Sequence, residues 1–491
     1  MNHVWLNPLR SVGAIDRNIF GGFAEHMHRC IYGGIFDPGS PLSDDQGLRL
    51  DVIDALRRQG MPIVRYPGGN FVSGYRWRDG VGPVGQRPAR LDLAWNAIDS
   101  NHFGTNEFIR FCRKLDAEPF LVVNCGDGDL REARDWLEYC NGARPTEPVK
   151  LRQAHGFDEP HRVRYWGIGN EVDGPWQIGH KTAAEYARAY AEFAKAMKLV
   201  DPDIKLVAAG TSDWTADVVE TPRLLLQQAG ELIDYLDIHW YIGLGMETVD
   251  FPALMATSEL LEERLQAMEG IIHIMRLNHG IEREIHLAVC EYNVLKFIDH
   301  DQGIEAIFNL QDMLVIAQNL NAFLRHAHSV KMANISEIVN MGGPIRSDPD
   351  GDGLVLQTTW HALELYSRLS GEVALDAWQE SDATFSGNGY SGVPVLDVAA
   401  TRDRTGHQLT LFLVNRSEDA HSDVTVHLEA GRFNGPARLS VLNGPSLEAC
   451  NTFDTPNEVR LRTESLPTQD SEATATLEPH SLTALELSVR R

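Results

Sequence analysis

Eight short apolar runs interleaved with amphipathic stretches restrict this 491-residue chain to very few folds. The runs lie near Ile19–Glu25, Pro62–Tyr66, Pro119–Asn124, Val163–Asn170, Lys205–Ala209, Tyr235–Trp240, Glu284–Cys290 and Asn334–Met341. They are rich in branched and aromatic residues, as expected of strands buried on both faces of a parallel sheet. Between them, Leu48–Gln59, Asn106–Leu115, Ala183–Val200, Leu254–Leu277 and Ile304–His326 repeat apolar residues at helical spacing. In Ala183–Val200 the aromatic residues Tyr186, Tyr190 and Phe193 fall on the apolar stripe, where a helix packs on a barrel wall. The alternation predicts a (β/α)8 TIM barrel, an α/β fold, over residues 16–372.

Beyond residue 372 the pattern shortens to alternating runs such as Gln408–Val414 and Ser422–Leu428, separated by turn-forming residues. That predicts a C-terminal antiparallel β-sandwich, jelly-roll-like, over 373–491. Residues 1–15 read as a strand available to join it.

A formal net charge of −25 disfavours nucleic acid, anionic membranes and acidic polymers as partners, and favours a neutral substrate. The first residues lack the basic flank and apolar core of a secretory signal, and no run of about 18 apolar residues is present. Six scattered cysteines without a C-x-x-C pair read as reduced thiols. A cytoplasmic protein is expected.

Carboxylates at the carboxyl ends of barrel strands occupy the position where such folds carry their active sites. Glu171 ends the fourth run and Glu291 the seventh, so two acids from different strands converge across the barrel mouth. Such a pair equips a retaining glycosidase: one carboxylate stays ionised to attack, while the other carboxyl holds a proton to give. Asn170 precedes Glu171, and Asp173-Gly174-Pro175-Trp176 follows it. Glu25 ends the first run as a candidate hydroxyl-binding acid; the neighbouring His26 and His28 read as packing rather than a metal pair. Arg65-Tyr66-Pro67-Gly68-Gly69-Asn70 closes the second run, its glycines admitting close approach of a sugar and Asn70 offering donor and acceptor. His239-Trp240-Tyr241 ends the sixth and places a hydroxyl near a nucleophile. Asp348-Pro349-Asp350-Gly351-Asp352 imitates a calcium loop but has Thr359 at its twelfth position, so an acidic surface turn is expected there. Glu337, in the eighth run, is a reserve carboxylate.

These segments resemble the α-L-arabinofuranosidases of glycoside hydrolase family 51. The resemblance is carried by Gly22-Phe23-Ala24-Glu25-His26, Arg65 to Tyr75, Gly80-Val81-Gly82-Pro83, Gly169 to Lys181, and, in the sandwich, Asn415-Arg416 and Asn451-Thr452-Phe453. It implies Glu171 as acid/base and Glu291 as nucleophile. It implies Glu25, Arg65, Asn70, Asn170, Trp176, His239, Tyr241, Leu295 and Gln357 as substrate-binding. It further implies no metal or other cofactor, and a homo-oligomer, commonly a hexamer. The expected reaction is exo-acting removal of terminal α-L-arabinofuranosyl groups from arabino-oligosaccharides by double displacement.

Two positions depart from the family pattern: Leu295 stands where a tryptophan usually walls the furanose pocket, and Trp240 where many members have Gln. They leave β-D-galactofuranosidase activity open as an alternative, beside an endo-glucanase or xylanase on the same scaffold. A non-enzymatic carbohydrate-binding protein is disfavoured by the intact Glu171, Glu291, Asn170 and Tyr241.

Overall fold

The computed structural model describes residues 2–212, 218–243, 250–295, 305–349 and 351–490. Its strands begin with β1 (Asn2–Ala14), β2 (Gly21–Phe23), β3 (Ile63–Tyr66), a hairpin of β4 (Arg90–Asp92) and β5 (Ala97–Asp99), and β6 (Glu118–Val123). They continue with β7 (Tyr165–Ile168), β8 (Lys205–Thr211), β9 (Tyr235–Ile242), β10 (His286–Val294) and β11 (Val330–Ser336). Eight of these close a parallel barrel in the order β10-β11-β2-β3-β6-β7-β8-β9. The alternation of short buried runs and helices therefore builds the TIM barrel that it predicts.

The helices are α1 (Leu50–Gln59), α2 (Thr105–Leu115), α3 (Leu130–Asn141), α4 (Glu147–Ala154), α5 (Ala183–Val200), α6 (Glu220–Ala229), α7 (Phe251–Met255), α8 (Thr257–His279), α9 (Leu310–Arg325) and α10 (Thr358–Leu369). Local chemistry sets their ends. In α5 the Thr182 hydroxyl accepts from Glu185 N–H while the Glu185 carboxylate accepts from Thr182 N–H, a reciprocal cap that satisfies two orphan donors. Asn309 and Asp312 do the same for α9.

Strand alternation divides the apolar residues into two sets. Ile63, Phe120, Val122, Tyr165, Val207, Tyr235, Ala288 and Met332 fill the barrel interior, and their neighbours Val64, Leu121, Trp166, Leu236 and Val289 pack outward under the helices. The barrel is thus plugged below its mouth, which leaves polar side chains at the carboxyl ends of the strands facing open space.

Several boundaries differ from expectation. The first barrel strand is only Gly21–Phe23, because Arg17–Phe20 forms a 3-10 turn capped by Asp16. The eighth runs Val330–Ser336, earlier than Asn334–Met341, and Glu337 lies just past its end. The stretch Leu254–Leu277 is split between α7 and α8. Helix α9 starts at Leu310; the expected start at Ile304 lies outside the described residues.

The C-terminal strands form one continuous path: Arg460–Leu466, Ala437–Asn443, Ser481–Arg490, Gln408–Asn415, Leu396–Arg402, Val373–Ser381, β1, Ser422–Leu428, Glu472–Leu477. The path curls over itself, so that Val424 and Ala475 from one end share a core with Leu439 and Val441 from the other. Strand β1 pairs antiparallel with Val373–Ser381 but parallel with Ser422–Leu428, so the sandwich is not wholly antiparallel.

Candidate active site

Backbone irregularity aims both glutamates. Strand β7 ends at Ile168; Gly169 at φ 76° and Glu171 at φ 40° then turn the chain sharply across the barrel mouth. A left-handed conformation in a glutamate costs energy and is typical of functional turns.

Glu291 lies inside β10 rather than at its end. Against β9, Val289 pairs with Ile238 and Glu291 with His239, so Cys290 is an extra residue in a bulge. Alternation alone would turn Glu291 outward after inward-facing Ala288 and Cys290. The bulge resets the phase and brings Glu291 to the same side as His239 and Tyr241. Asp237 Oδ1 accepts the bulged Cys290 N–H at 2.9 Å.

The two carboxylates meet over the barrel core. One oxygen of each, together with a ring nitrogen of His239, all lie within 4.8 Å of one another. Arg65, from β3, has its Cζ 4.6 Å over the Phe23 ring centroid and donates to Glu291 Oε1 at 2.5 Å and to Asn170 Oδ1 at 2.6 Å. The Tyr241 hydroxyl is 2.7 Å from Glu291 Oε2 and 2.8 Å from Ser336 Oγ. It donates to the carboxylate and accepts from the serine. Burial would raise the Glu291 carboxyl, but the His239 and Arg65 charges and the hydrogen bonds from Arg65 and Tyr241 outweigh it and hold the group below the ordinary carboxylate range.

His239 bridges the two acids. Its Nδ1 is 2.9 Å from Glu171 Oε1 and 3.5 Å from Glu291 Oε2, and its Nε2 is 3.2 Å from Asp237 Oδ2. Burial opposes charging the ring, but Glu291 and Asp237 prevail and keep its pKa well above the usual histidine value. Its Nε2–H donates to Asp237, and the proton between Nδ1 and Glu171 Oε1 can sit on either group. Glu171 Oε2 accepts from the Trp176 indole N–H at 2.7 Å. Trp176 is 43% exposed, whereas Glu171 beneath it is buried.

Glu25 sits beside the pair with Oε1 accepting from Phe71 N–H at 2.8 Å. Burial pushes its carboxyl up to about 8. A Cβ on Gly68 would come within 2.4 Å of Glu25 Cγ, and one on Gly69 within 3.0 Å of Glu291 Oε1 and 3.4 Å of Asn170 Nδ2. These glycines keep the space above the carboxylates clear. Asn170 Nδ2 is buried without a hydrogen-bond partner, a donor available to a ligand hydroxyl. Asn70 opens the 3-10 turn Asn70–Gly74, half-buried, just after Gly69.

Other expected residues make their contacts with groups other than the two carboxylates. Gln357 is fully buried and commits its amide to backbone: Oε1 accepts from Phe308 N–H at 2.8 Å, and Nε2 donates to Gly343 O at 2.7 Å and Ala306 O at 3.2 Å. Trp240 alternates out of phase with His239 and Tyr241 and packs in the helix-side core, with Arg264 Cζ 6.0 Å from its ring centroid. It is wall packing and does not reshape a pocket. Leu295, half-buried, follows β10 and donates its N–H to Ile242 O at 2.7 Å. His26 is buried, stacked 4.6 Å from Phe71, with Nε2 2.8 Å from the Tyr66 hydroxyl, whereas His28 is exposed. Of the acidic turn 348–352, Asp350 lies outside the described residues.

Asp237, Ser336 and the closeness of Glu337 to Glu25 escape a reading of motifs. Alternation in Tyr235-Leu236-Asp237-Ile238-His239-Trp240-Tyr241 is the signal that places Asp237 with His239 and Tyr241. Glu337 Oε2 accepts Glu25 N–H at 2.9 Å, and burial with the nearby Glu25 charge raises its pKa well above normal.

Two carboxylates and an imidazole are a donor set that a divalent cation accepts. Here Arg65, Tyr241 and Trp176 already occupy carboxylate oxygens, and the cationic Arg65 and His239 oppose a further positive charge. The arrangement suits one strongly anchored anion beside a second buried carboxyl that is bonded to the exposed Trp176.

Comparison with known proteins agrees in extent. The α-L-arabinofuranosidase 1 domain matches residues 55–246, and the α-L-arabinofuranosidase C-terminal domain matches residues 291–481. A probable α-L-arabinofuranosidase C of Aspergillus clavatus is 38% identical over 495 residues, covering 97% of this chain and 95% of that protein. An intracellular exo-α-(1→5)-L-arabinofuranosidase of Halalkalibacterium halodurans is 38% identical over 426 residues, covering 83% of each. The thermostable GH51 α-L-arabinofuranosidase of Thermotoga petrophila RKU-1 superposes with a TM-score of 0.90 at 37% identity, covering 99% of this chain and 100% of that one.

Proposed function

The chain belongs to the α-L-arabinofuranosidases of glycoside hydrolase family 51, and from that premise we propose an exo-acting double displacement in which Glu291 and Glu171 have separate tasks. The enzyme hydrolyses terminal α-L-arabinofuranosyl groups from arabino-oligosaccharides. Glu291 attacks the anomeric carbon, and the bond to the leaving oxygen breaks as Glu171 transfers its proton to that oxygen. Water then gives a proton back to Glu171 and attacks the same carbon, releasing Glu291 and an arabinose of unchanged anomeric configuration.

The observation that carries this reading is the asymmetry of the pair. Glu291 is clamped by a guanidinium and a phenol and held ionised, whereas Glu171 faces the exposed Trp176 side, where a leaving group and water enter. One oxygen of each carboxylate lies within 4.8 Å of the other, and this closeness favours the retaining route over inversion, whose carboxyl groups stand roughly 6.5–9.5 Å apart. Around them, we assign Asn170 Nδ2, Glu25 and Asn70 to the furanose hydroxyls, with Leu295 just past the end of β10.

The test has two parts. Proton NMR of the first-formed sugar shows the retained anomer if the double displacement is right, and the inverted anomer rejects it. Side-by-side kcat/KM on 4-nitrophenyl α-L-arabinofuranoside and β-D-galactofuranoside should favour the former. A preference for galactofuranoside would assign Leu295 the role of making room for an exocyclic carbon.

A cytoplasmic site of action on imported oligosaccharides and a hexameric assembly complete the reading. The first draws on the Halalkalibacterium halodurans relative, an intracellular enzyme, and the second on resemblance to the family. Light scattering coupled to size exclusion measures the assembly, and cell fractionation measures the location.

A further inference from the structure

We propose that Glu269, His326 and His328 form a binding site for one divalent transition metal ion of the zinc class, separate from the carboxylate pair. His326 caps α9 and His328 lies on the loop leading into the amino end of β11. The carboxylate pair lies at the opposite, carboxyl end of the barrel. Glu269 stands on α8, and the reaction uses none of the three residues.

One ligand atom from each lies within 4.8 Å of the others. Glu269 Oε1 is the hub, 2.7 Å from His326 Nδ1 and 3.2 Å from His328 Nε2. Two imidazoles and one carboxylate with an open fourth position form a ligand set that zinc takes readily, and it suits copper, nickel or cobalt better than calcium or magnesium. His328 is about half exposed, so an ion has an entry path and a bound water has room.

The surroundings are built as they are around histidine ligands. The other ring nitrogen of His326, Nε2, is 2.8 Å from Glu262 Oε2, which fixes the ring and leaves Nδ1 facing Glu269. Glu262 stands two turns before Glu269 on the same face of α8, and Arg325 Nε donates to its Oε1 at 2.7 Å, anchoring it. The Ser329 hydroxyl donates to Glu269 Oε1. An ion entering here replaces the proton that His326 Nδ1 shares with Glu269, and that proton leaves to solvent. The ion would tie α8 to the α9–β11 junction, whose Arg325 reaches the C-terminal sheet through Asp397 at 2.8 Å.

Chelator-treated full-length protein titrated with Co2+ tests the site. One ion per chain should bind with the visible absorption of four- or five-coordinate cobalt, and Zn2+ should displace it. His328→Ala should abolish the signal while leaving turnover of 4-nitrophenyl α-L-arabinofuranoside unchanged. Glu262→Gln should weaken binding roughly 10–100-fold, and Glu269→Gln, checked for fold by circular dichroism, should abolish it. Glu291→Gln should bind cobalt as the parent does. Absorption no different from aqueous cobalt, a signal that survives His328→Ala, or one lost in Glu291→Gln overturns the proposal.

Discussion

Arg65 decides which glutamate is the anion. It spans from Glu291 to Asn170 while lying on Phe23, so one side chain sets the charge of the proposed nucleophile and the aim of an amide with a spare donor. Glu171→Ala should lower turnover of arabino-oligosaccharides by roughly 10²–10⁴-fold. On the 4-nitrophenyl glycoside, whose leaving group needs no proton, bond cleavage should suffer far less, and pre-steady-state release of nitrophenol measures the difference. Tyr241→Phe removes one hydrogen bond to an ionised oxygen, worth about 1.5–3 kcal/mol, and should cut kcat roughly 10–100-fold with the fold intact. Glu25 predicts a pH effect. Its carboxyl is neutral below about 8 and ionises above, beside Glu291, so kcat/KM should fall as pH rises through that value. Between the ordinary carboxylate pKa and about 8, the folded state keeps a proton that the unfolded chain has lost. Stability therefore declines with rising pH across that window. Glu25→Gln should remove the alkaline limb and reduce this slope to what the likewise raised Glu337 contributes, and denaturant titrations across the window check the second.

At the scale of the element, strand β10 shows how little a motif says about direction. The bulge at Cys290 turns Glu291 inward, and Asp237 serves both the bulge and the His239 ring. Asp237→Ala should leave the Cys290 N–H unsatisfied at a cost of about 1–3 kcal/mol. It should also depress activity more than this loss of stability explains, because His239 loses the partner that holds its charge. Chemical denaturation and kcat measured on the same preparation separate the two effects. Strand β9 carries the converse lesson: Trp240, one residue from His239, faces the helices, so its departure from family habit changes wall packing alone.

Across the whole molecule, the barrel and the C-terminal sheet share a core. Tyr366 of α10 stacks on Phe412 at 4.0 Å, and buried Arg416 donates to Ser258 Oγ at 2.9 Å and Gln318 Oε1 at 3.2 Å. Asp397 of the sheet takes Arg325 at 2.8 Å and Asn321 at 2.7 Å. Strand β1 supplies an interior strand of that sheet from the other end of the chain. Residues 16–372 expressed alone should therefore aggregate, since removing the sheet uncovers Tyr366 and strands the buried polar groups of α9. The intact chain should unfold in one transition seen alike by tryptophan fluorescence and far-ultraviolet circular dichroism.

Local pattern was enough for the barrel, because a run buried on both faces and a helix with one apolar stripe each announce themselves within a dozen residues. The same pattern picks out Glu171 and Glu291 as candidates, although Glu291 lies within β10 and not at its end. The phase of a strand is not a local property. One bulged residue inverts it, and the register with β9 that creates the bulge exists only when two segments some fifty residues apart pair. For the same reason the burial of Gln357 against Gly343 and Ala306 and the clamp of Arg65 on Glu291 were decided in the tertiary structure. Side-chain type is written in the chain, but the partner that satisfies a buried polar group is chosen by what the fold brings within hydrogen-bonding distance.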